Sequence, residues 1–110
     1  MAKDPTVVRV NVPHDRIKGF CVKWKISQLA LFGSVLRDDF SPASDVDVLV
    51  SFAPDADWSL FDLADMEAEL AKLFGRKVDL ASKKGIEQSR NPIRKQEILG
   101  SAQVIYDEAA

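Results

Sequence analysis

One cysteine and one histidine occur in 110 residues. Cys21 therefore has no internal disulfide partner, and no Cys/His set has the spacing of a zinc site. No apolar run approaches the roughly 20 residues that a membrane-spanning helix needs. The opening MAKDPTVV also lacks the apolar core of a signal peptide, so a cytoplasmic location is the expectation. A basic surplus is missing too: 15 Lys and Arg stand against 17 Asp and Glu, a net charge of -2. Proteins that grip nucleic acid neutralise its phosphates with excess positive charge, so direct RNA or DNA binding is disfavoured. Repeats, low-complexity tracts and linkers are absent, and the chain is expected to form a single domain over residues 1–110. A composition of 46% hydrophobic and 29% charged residues is ordinary for a globular fold and excludes disorder.

What is present is a regular succession of strand and helix signals. Val8, Val10 and Val12 alternate, so Thr6 to Val12 is expected as a short strand, at an edge or as an arm. Pro13 suits a helix start, and Ile17, Phe20, Cys21 and Trp24 then recur at one-face spacing. That places Cys21 in the core as a small hydrophobe and His14 on the surface beside Asp15. Leu29 to Phe32 reads as a buried strand ended by Gly33-Ser34, with a short helix expected from Val35 to Asp38. Ser41 to Ser44 reads as a turn, and Asp45 to Phe52 is the clearest strand pattern. Ser59 and Asp62 resemble a capping box, followed by Leu60, Leu63, Met66, Leu70, Leu73 and Phe74 at helical spacing and by Gly75 at a helix C-terminus. Lys77 to Leu80 predicts a strand, Ala81 to Gln88 a loop, and Asn91-Pro92 the start of a helix ending at Gly100. Ala102 to Tyr106 closes the chain as a last strand. The pattern predicts an α+β fold, a mixed β-sheet with helices packed on one face and the other face open for a site.

The chemistry-bearing residues gather on these strands. Asp45 and Asp47 are two apart, so on a strand both carboxylates share a face, while Val46, Val48, Val50 and Phe52 take the other. Asp79 stands alone between Val78 and Leu80. If its strand neighbours the first, three carboxylates converge, and their mutual repulsion calls for a cation. Hard oxygen ligands suit Mg²⁺ or Mn²⁺, which complete their shells with water and substrate phosphates. Two such ions bridging an attacking and a leaving oxygen catalyse phosphoryl and nucleotidyl transfer. Gly33 leaves the backbone bare for a close phosphate, the Ser34 hydroxyl and adjacent N–H groups suit phosphate oxygens, and Arg37 adds a guanidinium. Lys83, Lys84, Arg90, Arg94 and Lys95 form a local basic cluster that is equally compatible with a solvated face.

The runs LFGSVLRD, SDVDVLVSF and GRKVDL resemble the minimal nucleotidyltransferases, or MNT domains, of the DNA polymerase β-like superfamily. The likeness covers most of the chain, from about Ile17 to Tyr106. It implies the polymerase β-like nucleotidyltransferase fold, ATP as substrate and two Mg²⁺ or Mn²⁺ ions. Gly33 and Ser34 would lie against the triphosphate; Asp45, Asp47 and Asp79 would be the catalytic, metal-binding set. A glycine often follows the arginine in that family. Asp38 stands there instead, so the loop after Arg37 is expected to differ, and Thr6 to Val12 lies outside the likeness. Stand-alone MNT proteins are typically antitoxins of HEPN-domain ribonuclease toxins, and some transfer AMP to a toxin tyrosine. The resemblance therefore implies protein adenylylation, with Asp79 helping to deprotonate the acceptor hydroxyl. The chain is too short for an acceptor domain of its own, which points to a partner protein as acceptor surface. A binding-only antitoxin and a small-molecule nucleotidyltransferase of the aminoglycoside type remain the alternatives, and a homodimer stays open.

Overall fold

The computed structural model describes residues 10–37, 41 and 44–109. The chain order is α1 (His14–Lys23), β1 (Ile26–Phe32), a 3-10 turn (Gly33–Leu36), β2 (Val46–Phe52) and α2 (Leu60–Phe74). β3 (Val78–Ser82), α3 (Lys83–Glu87), α4 (Pro92–Ser101) and β4 (Gln103–Asp107) follow. The strands form one four-stranded sheet in the order β3-β2-β1-β4. β1 runs antiparallel to both β2 and β4, whereas β2 and β3 are parallel. The parallel pair requires a crossover, and α2 supplies it.

Alternation along the strands sorts the sheet into two faces. Leu29 and Leu31 of β1, Val46, Val48 and Val50 of β2 and Val78 of β3 meet Ile17, Phe20 and Cys21 of α1 and Met66, Leu70 and Phe74 of α2. The main core thus lies on one face, as the period-2 and helical stripes predict. The opposite face is not wholly open. Ala30, Phe32 and Leu49 form a smaller cluster under Ile98 of α4, with Ile86 and Leu99 beside it.

Local signals act largely as expected. Ser59 Oγ accepts the Asp62 N–H at 3.2 Å and the Asp62 carboxylate accepts the Ser59 N–H at 2.9 Å, a reciprocal cap on α2. Gly75 ends that helix in the left-handed region at φ 70. Asn91 Oδ1 accepts the Arg94 N–H at 3.1 Å ahead of Pro92 at the start of α4. Four expectations shift. β1 begins at Ile26, three residues early, because Ile26 pairs with Phe52 across polar Ser27 and Gln28. The turn after β1 is a 3-10 turn from Gly33. Part of the expected loop after β3 is α3, capped by Ser82 Oγ, which accepts the Gly85 N–H at 3.0 Å. Leu60 leaves the core stripe of α2 and stands 83% exposed.

The expected strand from Thr6 falls mostly outside the described residues. Its last part, Val10 to Val12, is irregular, and Val10 and Val12 pack on the core without joining the ladder. Asp38 and the Pro42-Ala43 part of the expected turn also lie outside the described residues.

Cys21 is fully buried, and burial pushes its thiol pKa up to about 12. The thiolate is the reactive form, so Cys21 should resist a chromogenic disulfide reagent at pH 8 and react stoichiometrically once denaturant is added.

Candidate functional site

The register of the parallel pair decides the geometry. Asp47 of β2 is the direct partner of Asp79 of β3, flanked by the buried pair Val46 and Val78 and by Val48 and Leu80. Neighbouring strands lie about 4.8 Å apart. The two carboxylates therefore project side by side from the face opposite the main core. Asp79 is exposed on the edge strand, and Asp47 is half-buried.

Asp45 sits one residue ahead of β2, at the mouth of the strand. Its peptide is held from three directions. Ser34 Oγ donates to the Asp45 carbonyl at 3.4 Å, and the Val46 N–H donates to the Lys77 carbonyl at 2.9 Å. Arg76 Nη1 donates to the carbonyls of Ser41 and Ser44 at 3.0 and 3.2 Å. The end of α2 thus fixes the backbone that carries the first carboxylate. Nothing in the sequence around Arg76 signals this role, since the contact spans more than thirty residues.

Gly33 touches the Asp47 carboxylate. Its backbone is left-handed at φ 76, and a Cβ placed there would collide with Asp47 Oδ2 and lie 3.2 Å from its Cγ. Glycine is required twice, by conformation and by space. Its sequence reading as a bare turn for a phosphate missed the second requirement. Arg37 follows at the end of the 3-10 turn, its N–H donating to the Ser34 carbonyl at 2.9 Å.

The electrostatics reflect this crowding. Burial, above all, raises the Asp47 pKa above its ordinary value, and the charges of Asp79 and Asp45 raise it further. The guanidinium groups of Arg37 and Arg94 pull it back down. Arg94 is a second residue whose place the sequence did not reveal. It stands one turn before Ile98, the α4 residue seated on Leu49, and Leu49 shares a sheet face with Asp47. The basic cluster is accordingly divided. Arg94 belongs to the carboxylates, whereas Lys83 and Lys84 line a separate cleft of about 360 Å³ beyond the far end of β2, with Phe52 and Pro54.

Among the described residues, no group of three His, Cys, Asp or Glu side chains is placed to hold a metal ion, so the expected convergence of Asp45, Asp47 and Asp79 into one ligand set is not seen. The donor set still fits a hard cation. It is all oxygen, two carboxylates are adjacent in register, and a cation between them would relieve their repulsion. Mg²⁺ takes only one or two carboxylates and fills the remaining positions with water and phosphate oxygens. A cleft of about 670 Å³ opens between the Gly33 turn and α4, lined by Leu36, Arg37, Gln96 and Gln103 among others. That volume is in the range of small-molecule sites.

Comparison with known proteins identifies the family and the fold. Residues 15–105 match the nucleotidyltransferase domain family. A protein of Methanocaldococcus jannaschii, provisionally named a protein adenylyltransferase, is 37% identical over 76 residues, 69% of this chain and 72% of the relative. Another from that organism, with the same provisional name, is 30% identical over 95 residues, 86% and 96% of the two chains. A solved structure provisionally described as a minimal nucleotidyltransferase superposes with a TM-score of 0.62 at 28% identity, covering 81% of this chain and 85% of that one. The MNT antitoxin complexed with a tri-AMPylated Shewanella oneidensis HEPN toxin shares the fold, with a TM-score of 0.59 at 19% identity over 86% and 69%. So does a toxin–antitoxin structure with AMP-PNP, with a TM-score of 0.67 at 18% identity over 87% and 74%.

Two outcomes follow for the ligand-free protein. The folded-state pKa of Asp47 is raised, so its ionised form costs stability above that pKa, and protonation removes the cost as pH falls through it. Asp47→Asn should melt higher than the wild type at neutral pH, and the two melting curves should converge on acidification. Gly33→Ala should melt lower, with about 1–2 kcal/mol lost to the left-handed backbone alone. It should also bind Mn²⁺ more weakly in a titration, because the added methyl displaces the Asp47 carboxylate.

Proposed function

Because the chain belongs to the nucleotidyltransferase domain family, we propose that it transfers AMP from ATP to a tyrosine hydroxyl of a partner HEPN-domain ribonuclease toxin. The observation that carries this reading is the register pairing of Asp47 with Asp79, with Gly33 packed against Asp47. It is supported by relatives named for protein adenylylation and by the AMPylated toxin bound to an antitoxin of the same fold.

Two Mg²⁺ ions, when bound, neutralise phosphate charge and lower the pKa of the attacking hydroxyl. Asp45, Asp47 and Asp79 are the residues that would hold them. Gly33, without a side chain, lets the Asp47 carboxylate lie against the turn, and Arg37 and Arg94 supply positive charge for the triphosphate. Ser34 serves the turn as it stands, its hydroxyl directed at the Asp45 carbonyl; a phosphate oxygen would compete for that proton. The acceptor oxygen bonds to the α-phosphorus as the bond from that phosphorus to the bridging oxygen breaks. Pyrophosphate departs, and the acceptor proton passes to Asp79. That carboxylate is exposed on an edge strand, the side of the site that a second protein can reach.

The test is the intact mass of a candidate HEPN-domain toxin after incubation with the chain, Mg²⁺ and each nucleotide in turn. ATP should add discrete adenylyl groups. A metal chelator should stop the reaction, and Asp45→Asn with Asp47→Asn should slow it by at least about a hundredfold, the upper end of the loss expected for an outer-shell partner of a metal. Unchanged mass with every nucleotide, with toxin activity still neutralised, would leave inhibition by contact as the function.

A further inference from the structure

The first turn of α2 presents a surface that neither the fold nor the chemistry uses. Leu60 and Phe61 are 83% and 84% exposed, the most exposed large apolar side chains among the described residues. They contribute nothing visible to the helix. Its start is fixed by the Ser59 and Asp62 cap, and its hold on the sheet by Met66, Leu70 and Phe74. An adjacent aliphatic and aromatic pair in water is costly to solubility, and aromatic side chains such as Phe are enriched in the buried centres of interfaces. Leu63 and Ala64, the next turn of the helix, line a groove of about 270 Å³ with Leu80 on the outer edge of the sheet.

The charges that flank the pair along the chain are of one sign. Residues 54–71 hold six acids and no lysine, arginine or histidine. Four of those acids have work within the fold. Asp55 pairs with Lys25, Asp62 caps the helix, Glu67 accepts the Leu80 N–H, and Glu69 pairs with Lys23. Asp57 and Asp65 have no such task, and both are exposed. Asp57 lies three residues before Leu60, and Asp65 one turn beyond Phe61 on the same helix face. A second copy of this chain meeting the patch about a two-fold axis would set acid against acid. A partner with an apolar pocket rimmed by lysine and arginine matches both parts. A ribonuclease must carry such a basic surface to hold RNA phosphates.

We propose that Leu60 and Phe61, flanked by Asp57 and Asp65, form the docking knob that seats this chain on the basic, RNA-binding surface of its ribonuclease partner. This rests on the reading of the partner given above. The knob and the peptide that carries Asp45 lie toward opposite ends of α2. Arg76, just past the C-terminal end, holds the peptide ahead of Asp45, and 15 residues of helix span about 22 Å. A partner gripped at the knob has to pass that length and the β3 edge strand to reach the carboxylates on the other face of the sheet, which separates holding the toxin from modifying it.

The experiment titrates the full chain against a HEPN-domain toxin at low and high salt and follows AMP transfer in parallel. Leu60→Ser with Phe61→Ser should keep the wild-type melting temperature and weaken binding at least about thirtyfold, the scale of an anchor pair. Asp57→Lys with Asp65→Lys should also weaken binding and flatten its salt dependence. ATP and Mn²⁺ binding should be unchanged in both. Wild-type affinity in both variants overturns the proposal, as does a knob variant that only dissociates a dimer of the free chain. Tight binding lost in the variants, with no AMP transfer by the wild type, supports the knob and contradicts the adenylylation reading instead. Failure of the wild-type chain to bind the toxin contradicts both.

Discussion

Two carboxylates held side by side at neutral pH repel each other, and the structure around them is arranged to keep them there. Parallel pairing of β2 with β3 sets Asp47 beside Asp79, and α2 is the crossover that makes the pairing parallel. Burial and the neighbouring charges together raise the Asp47 pKa. The main core under Val46, Val48 and Val78 holds the strands in that register, because a one-residue slip would turn the valines to solvent and the acids inward. The ligand-free protein thus carries an electrostatic cost that a bound cation would relieve. This is how sites of chemistry come to oppose stability.

Around that pair, each element of the site is fixed by a different kind of force. Steric exclusion sets Gly33, where any side chain would meet the Asp47 carboxylate. Hydrogen bonding sets Asp45, through Ser34, Lys77 and the Arg76 guanidinium on the preceding carbonyls. Helix packing sets Arg94, because Ile98 one turn later is anchored on Phe32 and Leu49. The site is therefore a meeting of β1, β2, β3, α2 and α4, and no single one of them positions it.

Much of this was legible in the chain because short-range rules govern it. The alternation along β2 gave the face that Asp47 shares with Leu49, opposite Val46, Val48 and Val50. The Ser59 and Asp62 cap, Gly75 and Asn91-Pro92 gave the helix limits, since each is satisfied by atoms within four residues. The Gly-Ser turn, the paired aspartates and Asp79 could be joined into one site only on the assumption that their strands are neighbours, and β3 does lie beside β2. Long-range contacts stayed hidden. Arg76 reaches back across the chain to Ser44, and Arg94 looked like one of five clustered basic residues until α4 was seated on the sheet. Leu60 kept helical spacing with the core residues of α2 and still faced water, because spacing fixes a residue's angle on the helix and not what lies opposite its first turn.

The central claim is that Asp47 and Asp79 hold a divalent ion beside a nucleoside triphosphate at the Gly33 turn. Anomalous scattering from crystals soaked with Mn²⁺ and a non-hydrolysable ATP analogue measures this directly. The account predicts manganese between the Asp47 and Asp79 carboxylates, with phosphate oxygens completing its shell next to Gly33. Manganese elsewhere, or the nucleotide seated in the Lys83–Lys84 cleft with the two carboxylates bare, would contradict it.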